Sequence, residues 1–284
     1  MRTATASAAV KRVEKALGAE LFVRTTRQLR LSGAGEKYLP QCEQALHMLE
    51  LARHNIRDDR ETVEGELRLA VSSDLGRNLV IPWLDELMAE QPDLSLRVNV
   101  SDSNIDFYRD SVDMALRYGS PDDASLFGFK ICDIYGVLCA TQAYLDQHGW
   151  PGHPHDLAPH NGLFYQLQDI PHDTWTFTQE GQRFKVRMHG NRSSNDGDLV
   201  RRWCVAGLGI AVKSCLDMSD DLLAGRVISI MPEYQTRMTE LWLICPSRQS
   251  ITPAVRLLRD RLREKCTGIL DELARHGHIR RSRG

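Results

Sequence analysis

The chain is poor in the cysteine patterns that staple small domains. Its seven cysteines lie at positions 42, 132, 139, 204, 215, 245 and 266, an odd number with no C-x-x-C pair among them. That argues against a disulfide framework and a cysteine-built zinc site, and reads as buried free thiols in a reducing compartment. Long apolar runs are missing as well. No stretch approaches the ~18 uninterrupted apolar residues of a membrane span. The opening MRTATASAAVKR carries no apolar core of the signal-peptide kind. The expected location is the cytoplasm, with no membrane partner. Net charge is nearly absent: 36 Lys and Arg stand against 38 Asp and Glu, leaving −2. The molecule as a whole is therefore no general polyanion binder.

Catalytic signatures are also lacking. There is no G-x-S-x-G elbow and no P-loop, and the AGLG at 206–209 follows a helical pattern instead of a strand. His153, His155, His160 and His172 fall in a proline-rich stretch without metal-ligand spacing. The residues read as a non-enzyme with no metal and no cofactor.

What is present is unevenly placed. Residues 1–38 hold eight basic residues (Arg2, Lys11, Arg12, Lys15, Arg24, Arg27, Arg30 and Lys37) and three acids, a net of +5 on a chain of −2. Such a block is either a solvated helix face or one end that meets phosphate. Helical spacing of Ala6, Ala9, Val10, Val13, Ala16 and Leu17 predicts a helix over 5–17, stopped by Gly18. ELFVRT and RQLRLS predict a small basic hairpin, after which Ser32 can cap a second helix over 33–60. In that helix Leu39, Cys42, Leu46, Leu49 and Ile56 follow a heptad seam that needs a partner helix, and Pro40 lies near its start.

Beyond Gly65 strands alternate with helices. Strands are expected at 67–73, 94–101 and 112–119, two more around Asp133 in 128–141, and an amphipathic helix at 79–92. The alternation predicts a largely parallel sheet faced by helices. Residues 150–162 mark a passage into short strands (GLFYQ, TWTFTQ, RFKVRMHG, NRSS). DGDLVRRWCVAGLGIAVKS then reads as helix, glycine turn and strand, and a last helix runs over 252–273.

VEKALGAELFVRTTRQLRLSGAGEKYL resembles the second half of the winged helix-turn-helix of LysR-type transcriptional regulators. The matching positions are Val13-Glu14, Leu17-Gly18, Leu21-Phe22, Arg24, Arg27, Leu31-Ser32 and Ala34-Gly35-Glu36. The Val-Asp-Met-Ala-Leu-Arg-Tyr-Gly strand and the Ala-Gly-Leu-Gly-Ile turn extend the resemblance over essentially the whole chain. It departs at the front. The family carries two helices ahead of the recognition helix, whereas Met1 falls where the turn before that helix belongs. The expectation is a truncated front. The other reading is an effector-binding oligomer with impaired DNA binding, and a solute-binding protein or enzyme of similar fold stands as a reading of another class.

The resemblance implies an α/β architecture. A partial winged helix-turn-helix would occupy 1–32 and a dimerisation helix 33–62. A two-subdomain, periplasmic-binding-protein-like effector domain would follow, with subdomain I at 63–136 and 240–275, subdomain II at 137–239 and a basic tail at 276–284. It implies double-stranded promoter DNA as partner, in a homodimer or tetramer. Arg2, Thr3, Thr5, Ser7, Ala8, Lys11 and Arg12 would face the major groove, and Arg24, Arg27 and Arg30 the backbone or minor groove. An ion pair of Arg24 with Glu14 or Glu20 is the plain structural alternative. The seam Leu39, Cys42, Leu46, Leu49 and Ile56 would pair two copies. A small-molecule effector, with an organic acid as the candidate, would sit between the subdomains. Its contacts would be Ser72, Ser73, Asp74, Asn104 and Tyr118 on one side and Ser194, Asn195 and Lys213 on the other. Each Ser and Asn there can equally be a helix cap, and Asp74 and Asp196 argue against a purely anionic ligand. Trp175 reads as core.

Overall fold

The computed structural model describes residues 3–24, 29–56, 63–103, 105–107, 110–121, 123–167 and 170–280. They fall into two compact units, Met1–Arg60 with Asp106–Val112, and Glu61–Ile105 with Asp113–Gly284.

In the first unit α1 (Thr3–Leu17) ends at Gly18, whose φ of +64° is one that a residue with a Cβ rarely adopts. Strands β1 (Phe22–Arg24) and β2 (Leu29–Leu31) pair antiparallel, Phe22 opposite Leu31. The Glu14 carboxylate accepts from the backbone N–H of Leu21 (2.8 Å) and Phe22 (3.2 Å), tying the helix to the hairpin. Helix α2 (Gly33–Ile56) contains Pro40 and is capped by Ser32, whose Oγ accepts from Gly35 N at 3.0 Å. A Cβ on Gly35 would collide with the Leu21 carbonyl oxygen, so only glycine fits this close approach. The expected helix end at 60 lies outside the described residues.

The second unit opens with β3 (Gly65–Val71), then α3 (Ser73–Leu75), a π-turn over Gly76–Val80 and α4 (Ile81–Glu90) in one continuous helical run. Next come β4 (Leu94–Val100), β5 (Met114–Tyr118), β6 (Phe127–Ile134), β7 (Gly136–Ala140) and α5 (Gln142–His148). Strands β8 (Asn161–Leu167), β9 (Ile170–Pro171), β10 (Thr174–Gln179), β11 (Gln182–Arg187) and β12 (His189–Ser194) follow. Then come α6 (Gly197–Val205), β13 (Ala211–Ser214), α7 (Ser219–Leu223), β14 (Ile228–Ser229) and β15 (Gln235–Thr236). The chain closes with β16 (Thr239–Cys245) and α8 (Pro253–Arg275).

One half of this unit is built on a five-stranded sheet of order β4-β3-β5-β16-β6, the other on three-stranded sheets including β13-β7-β14 and β12-β8-β9. The expectation of a largely parallel sheet is corrected. Among the strand pairs of the described residues β3–β4, β3–β5 and β8–β12 run parallel, and β16 pairs antiparallel with both β5 and β6. A helix crosses over from β3 to β4, which makes that pair parallel, whereas β16 returns from the other half and meets its neighbours head to tail. Helix α8 buries Val255, Leu258, Leu262, Cys266, Leu270 and Leu273 in the core that includes Leu69, Val71 and Leu243. That spacing of three and four is one apolar stripe of a helix. Two boundaries also differ from the sequence expectation. Strand β3 stops at Val71, and the helical run begins at Ser73, six residues before 79. The break between β6 and β7 falls at Tyr135, two residues after Asp133.

Candidate functional site

Ser72 and Ser73 leave the carboxyl end of β3. Ser72 is extended (φ −64°, ψ 155°) and makes no capping bond, and its Oγ is buried with no hydrogen-bond partner. Ser73 is the first helical residue. Its backbone N donates to Asp102 Oδ1 at 2.7 Å and its hydroxyl to Asp102 Oδ2 at 2.6 Å. Asp102 lies just past β4. The same Oδ2 accepts the backbone N–H of Gly197, the first residue of α6, at 2.7 Å. Three donors from two separated helix starts thus converge on one carboxylate, and they join the two halves of the unit.

Behind this contact lies a buried charge network. Lys213, on β13 and 8% exposed, pairs with Asp74, which is 2% exposed. The ammonium also donates to Gly197 O at 2.9 Å and lies 3.8 Å from Asp217. Tyr118, at the end of β5, donates to Asp217 Oδ1 at 2.6 Å, and its oxygen lies 3.1 Å from Ser214 Oγ. Asn78 Nδ2 donates to Asp74 Oδ1 (2.8 Å) and to Asp198 Oδ1 (3.0 Å), a second bridge across the halves. Arg77 adds a third, to Asp196 at 3.0 Å. Burial, and then the neighbouring Asp217, push the Asp74 carboxyl up to about 7, against the opposing pull of Lys213. Burial raises Asp217 too, although Lys213 and the Tyr118 hydroxyl work the other way. Burial works against the charge of Lys213, but Asp74 and Asp217 more than offset it and its pKa is raised. The cluster therefore holds its cation firmly and its carboxylates under strain.

Among the sequence candidates, Ser73, Asp74, Tyr118 and Lys213 belong to this connected set. Lys213 sits within its strand instead of just past it. Ser194 is at its margin, its Oγ accepting from Asp196 N at 3.1 Å. Asn195 is exposed, and the cap of α6 is Asp196, whose side chain accepts from Leu199 N at 3.0 Å. Asn104 lies outside the described residues. Trp175 is buried and donates from Nε1 to His172 O at 3.0 Å. Sequence reasoning missed Asp102, Asp217, Asn78 and Arg77. For Asp102 a signal existed: it follows the strand 94–100 at its carboxyl end, in the same SDSN run that supplied Asn104. A shallow recess between α4 and α8, walled by Val80, Trp83, Leu84, Leu87, Leu258 and Leu262, contains none of these residues. It is the seam of two packed helices, and the charged residues on its rim are engaged with one another, Arg261 with Glu90 and Lys265 with Glu86.

In the first unit Thr5, Ala8, Lys11, Arg12 and Arg30 are exposed and Ser7 is half-buried. Thr3 opens α1 and Arg24 ends β1, but their side chains, like all of Arg2 and Arg27, lie outside the described residues. Glu14 is committed to backbone donors. On α2 Leu39, Leu46 and Leu49 are exposed, Leu46 at 62% and Leu49 at 68%, and Cys42 is half-buried. The Ile56 side chain lies outside the described residues.

Comparison with known proteins gives the same two parts. The family pattern described as "LysR substrate binding domain" matches residues 60–267. That described as "Bacterial regulatory helix-turn-helix protein, lysR family" matches residues 1–36. The HTH-type transcriptional regulator DmlR of Escherichia coli K12 is 30% identical over 252 residues, spanning 89% of this chain and 82% of that protein. The probable HTH-type transcriptional regulator LtrA of Klebsiella pneumoniae is 30% identical over 266 residues, 91% of this chain and 84% of its own. Among solved structures, CrgA, a LysR-type transcriptional regulator from Neisseria meningitidis, superposes with a TM-score of 0.61 at 25% identity, covering 96% of this chain and 90% of CrgA. Full-length AphB of Vibrio cholerae superposes with a TM-score of 0.61 at 23% identity, over 92% and 89%, a likeness of fold.

Proposed function

Because the chain belongs to the LysR family of transcriptional regulators, we propose that it reads a small organic acid at the junction between the two halves of its regulatory domain and passes that state to promoter DNA. The protein is a DNA-binding regulator and not an enzyme. One observation carries the effector reading: Ser73 N, Ser73 Oγ and Gly197 N converge on a carboxylate at 2.6 to 2.7 Å. Donors so arranged suit the planar, two-oxygen anion of an organic acid. Lys213 behind them supplies positive charge, while Asp74 and Asp217 set a limit on how much negative charge the site accepts. A ligand touching both Ser73 and Gly197 would bias the relative placement of the two halves, which is what a regulator must transmit.

On the DNA side, Thr5, Ser7, Lys11 and Arg12 of α1 are assigned to the major groove and Arg30 of the hairpin to the backbone, in a homodimer joined through Leu39, Cys42, Leu46, Leu49 and Ile56. The exposed leucines of α2 support that pairing. A thermal-shift screen of small aliphatic and aromatic carboxylates, comparing the natural chain with Ser73→Ala, tests the effector site. The expected result is that at least one acid stabilises the natural chain, by about 2.7 kcal/mol at a hundredfold excess over Kd, and that the variant responds less. Equal responses would place the site elsewhere, and no response from the natural chain would remove the organic-acid reading.

A further inference from the structure

We propose that Asp102 is a built-in occupant of the effector position, a carboxylate carried by the chain itself that latches the two halves together and competes with any acid for the same donors. This rests on the reading of the junction as the effector site. Both Asp102 oxygens are engaged: Oδ1 by Ser73 N, and Oδ2 by Ser73 Oγ and Gly197 N. These donors are 29 and 95 residues away in the chain. Asp102 is therefore not a local helix cap of the Asx type, which would reach only two or three residues along its own backbone. It stands where an external anion would stand.

The loop that carries it is held in place. Arg117 Nη1 donates to Ser101 O at 2.6 Å, and Ser101 N donates to Val71 O at 3.0 Å. The hydroxyls of Ser101 and Ser103 meet at 2.7 Å. A carboxylate anchored in this way binds without the loss of translational freedom that a free acid must meet, so its effective concentration at the donors is high. Two consequences follow. The closed junction forms without an effector. A simple monocarboxylate that offers only the two oxygens cannot displace Asp102, and an effector succeeds only if its other groups find contacts that Asp102 does not make. Asp102 is then both the latch and the threshold of the sensor.

Removing the side chain should leave a vacancy that a small carboxylate fills. The test is residue-level amide exchange and thermal unfolding of the full chain, natural and Asp102→Ala, with sodium formate against sodium chloride at equal ionic strength. The amides of Ser73 and Gly197 are expected to exchange at least about tenfold faster in Asp102→Ala, the loss of a hydrogen bond to a charged acceptor. Formate should restore their protection and raise the unfolding temperature of the variant, and leave the natural chain unchanged. Equal exchange at both amides in the two proteins, or formate acting on both alike, overturns the latch. If Asp102→Ala does not fold, Asp102→Asn decides. It keeps the shape and one acceptor oxygen, so faster exchange at Ser73 or Gly197 supports the latch and unchanged exchange at both overturns it. Formate rescue of the variant, with the natural chain silent toward every organic acid, would leave the latch standing and remove the organic-acid reading. A natural chain that responds to an acid, with exchange unaffected by Asp102→Ala, would do the reverse.

Discussion

At residue scale the most consequential groups are Asp74 and Lys213. A lysine as buried as Lys213 is tolerable only because Asp74 and Asp217 flank it and Gly197 O accepts from it. Replacing it with methionine strands two buried carboxylates. Lys213→Met is expected to destabilise the regulatory domain by roughly 3–5 kcal/mol, with Asp74→Asn added to it recovering part of the loss. Urea unfolding of the three proteins checks this, and a loss below about 1 kcal/mol for Lys213→Met would show that the charges are not held as described.

Asp74 also sets a pH dependence. Its folded pKa is raised to about 7 from an unfolded value of 3.8. Between those values the folded chain keeps a proton that the unfolded chain releases. Its contribution therefore favours the folded state at low pH, declines as pH rises through that window, and stays lost above about 7. The shift corresponds to about 4 kcal/mol at most. Asp217 is shifted in the same direction and adds to the trend. Unfolding free energies measured from about pH 5 to pH 8 should fall across the series, and Asp74→Asn should flatten the profile. An equally steep profile in the variant would assign the dependence to other groups.

At the scale of elements, the proposed function gives the hairpin and α2 separable tasks. Arg30 is exposed on β2, and the proposed function assigns it to the DNA backbone. Arg30→Ala should weaken binding to all DNA sequences about equally and reduce the salt slope by about one ion. A mobility shift at two salt concentrations reads both, and a change in sequence preference instead would move Arg30 into a groove. On α2 Leu46 and Leu49 together form a strongly exposed apolar patch. Leu46→Asp with Leu49→Asp should halve the mass seen by sedimentation and leave the regulatory domain folded. An unchanged mass would show that copies associate through another face.

Elements were also where sequence legibility divided. Helix α8, α1 and the β1–β2 hairpin were readable because their apolar spacing and turn residues are local. The helical run from Ser73 was not, since Ser73, Asp74 and Asn78 are polar and break the apolar period that marks a helix. They are polar because they face the other half of the domain. The same reason hid Asp217 and Arg77.

For the whole molecule the proposed function makes the governing quantity the coupling between the regulatory junction and DNA. Linkage requires reciprocity: an acid that changes DNA affinity by a given factor must have its own affinity changed by DNA by that same factor. Titrating a stabilising acid with and without promoter DNA, and DNA with and without the acid, should give equal factors. Unequal factors would mean that the acid acts at more than one site. No helix among the described residues is long and apolar enough to cross a membrane.

The sequence by itself determined the class of this protein, because the winged-helix residues from Val13 to Glu36 and the glycine turn at 206–210 have fixed local spacing. It also pointed to Ser73, which directly follows the loop residue at the end of a strand, and to Lys213, which was expected just past its strand and lies within it. The tertiary structure alone decided which side chain faces which donor. Ser73, Asp102 and Gly197 are far apart in the chain, and none carries a local mark of the others. Their meeting depends on how two halves close on each other, and long-range closure is not written in any window of neighbouring residues.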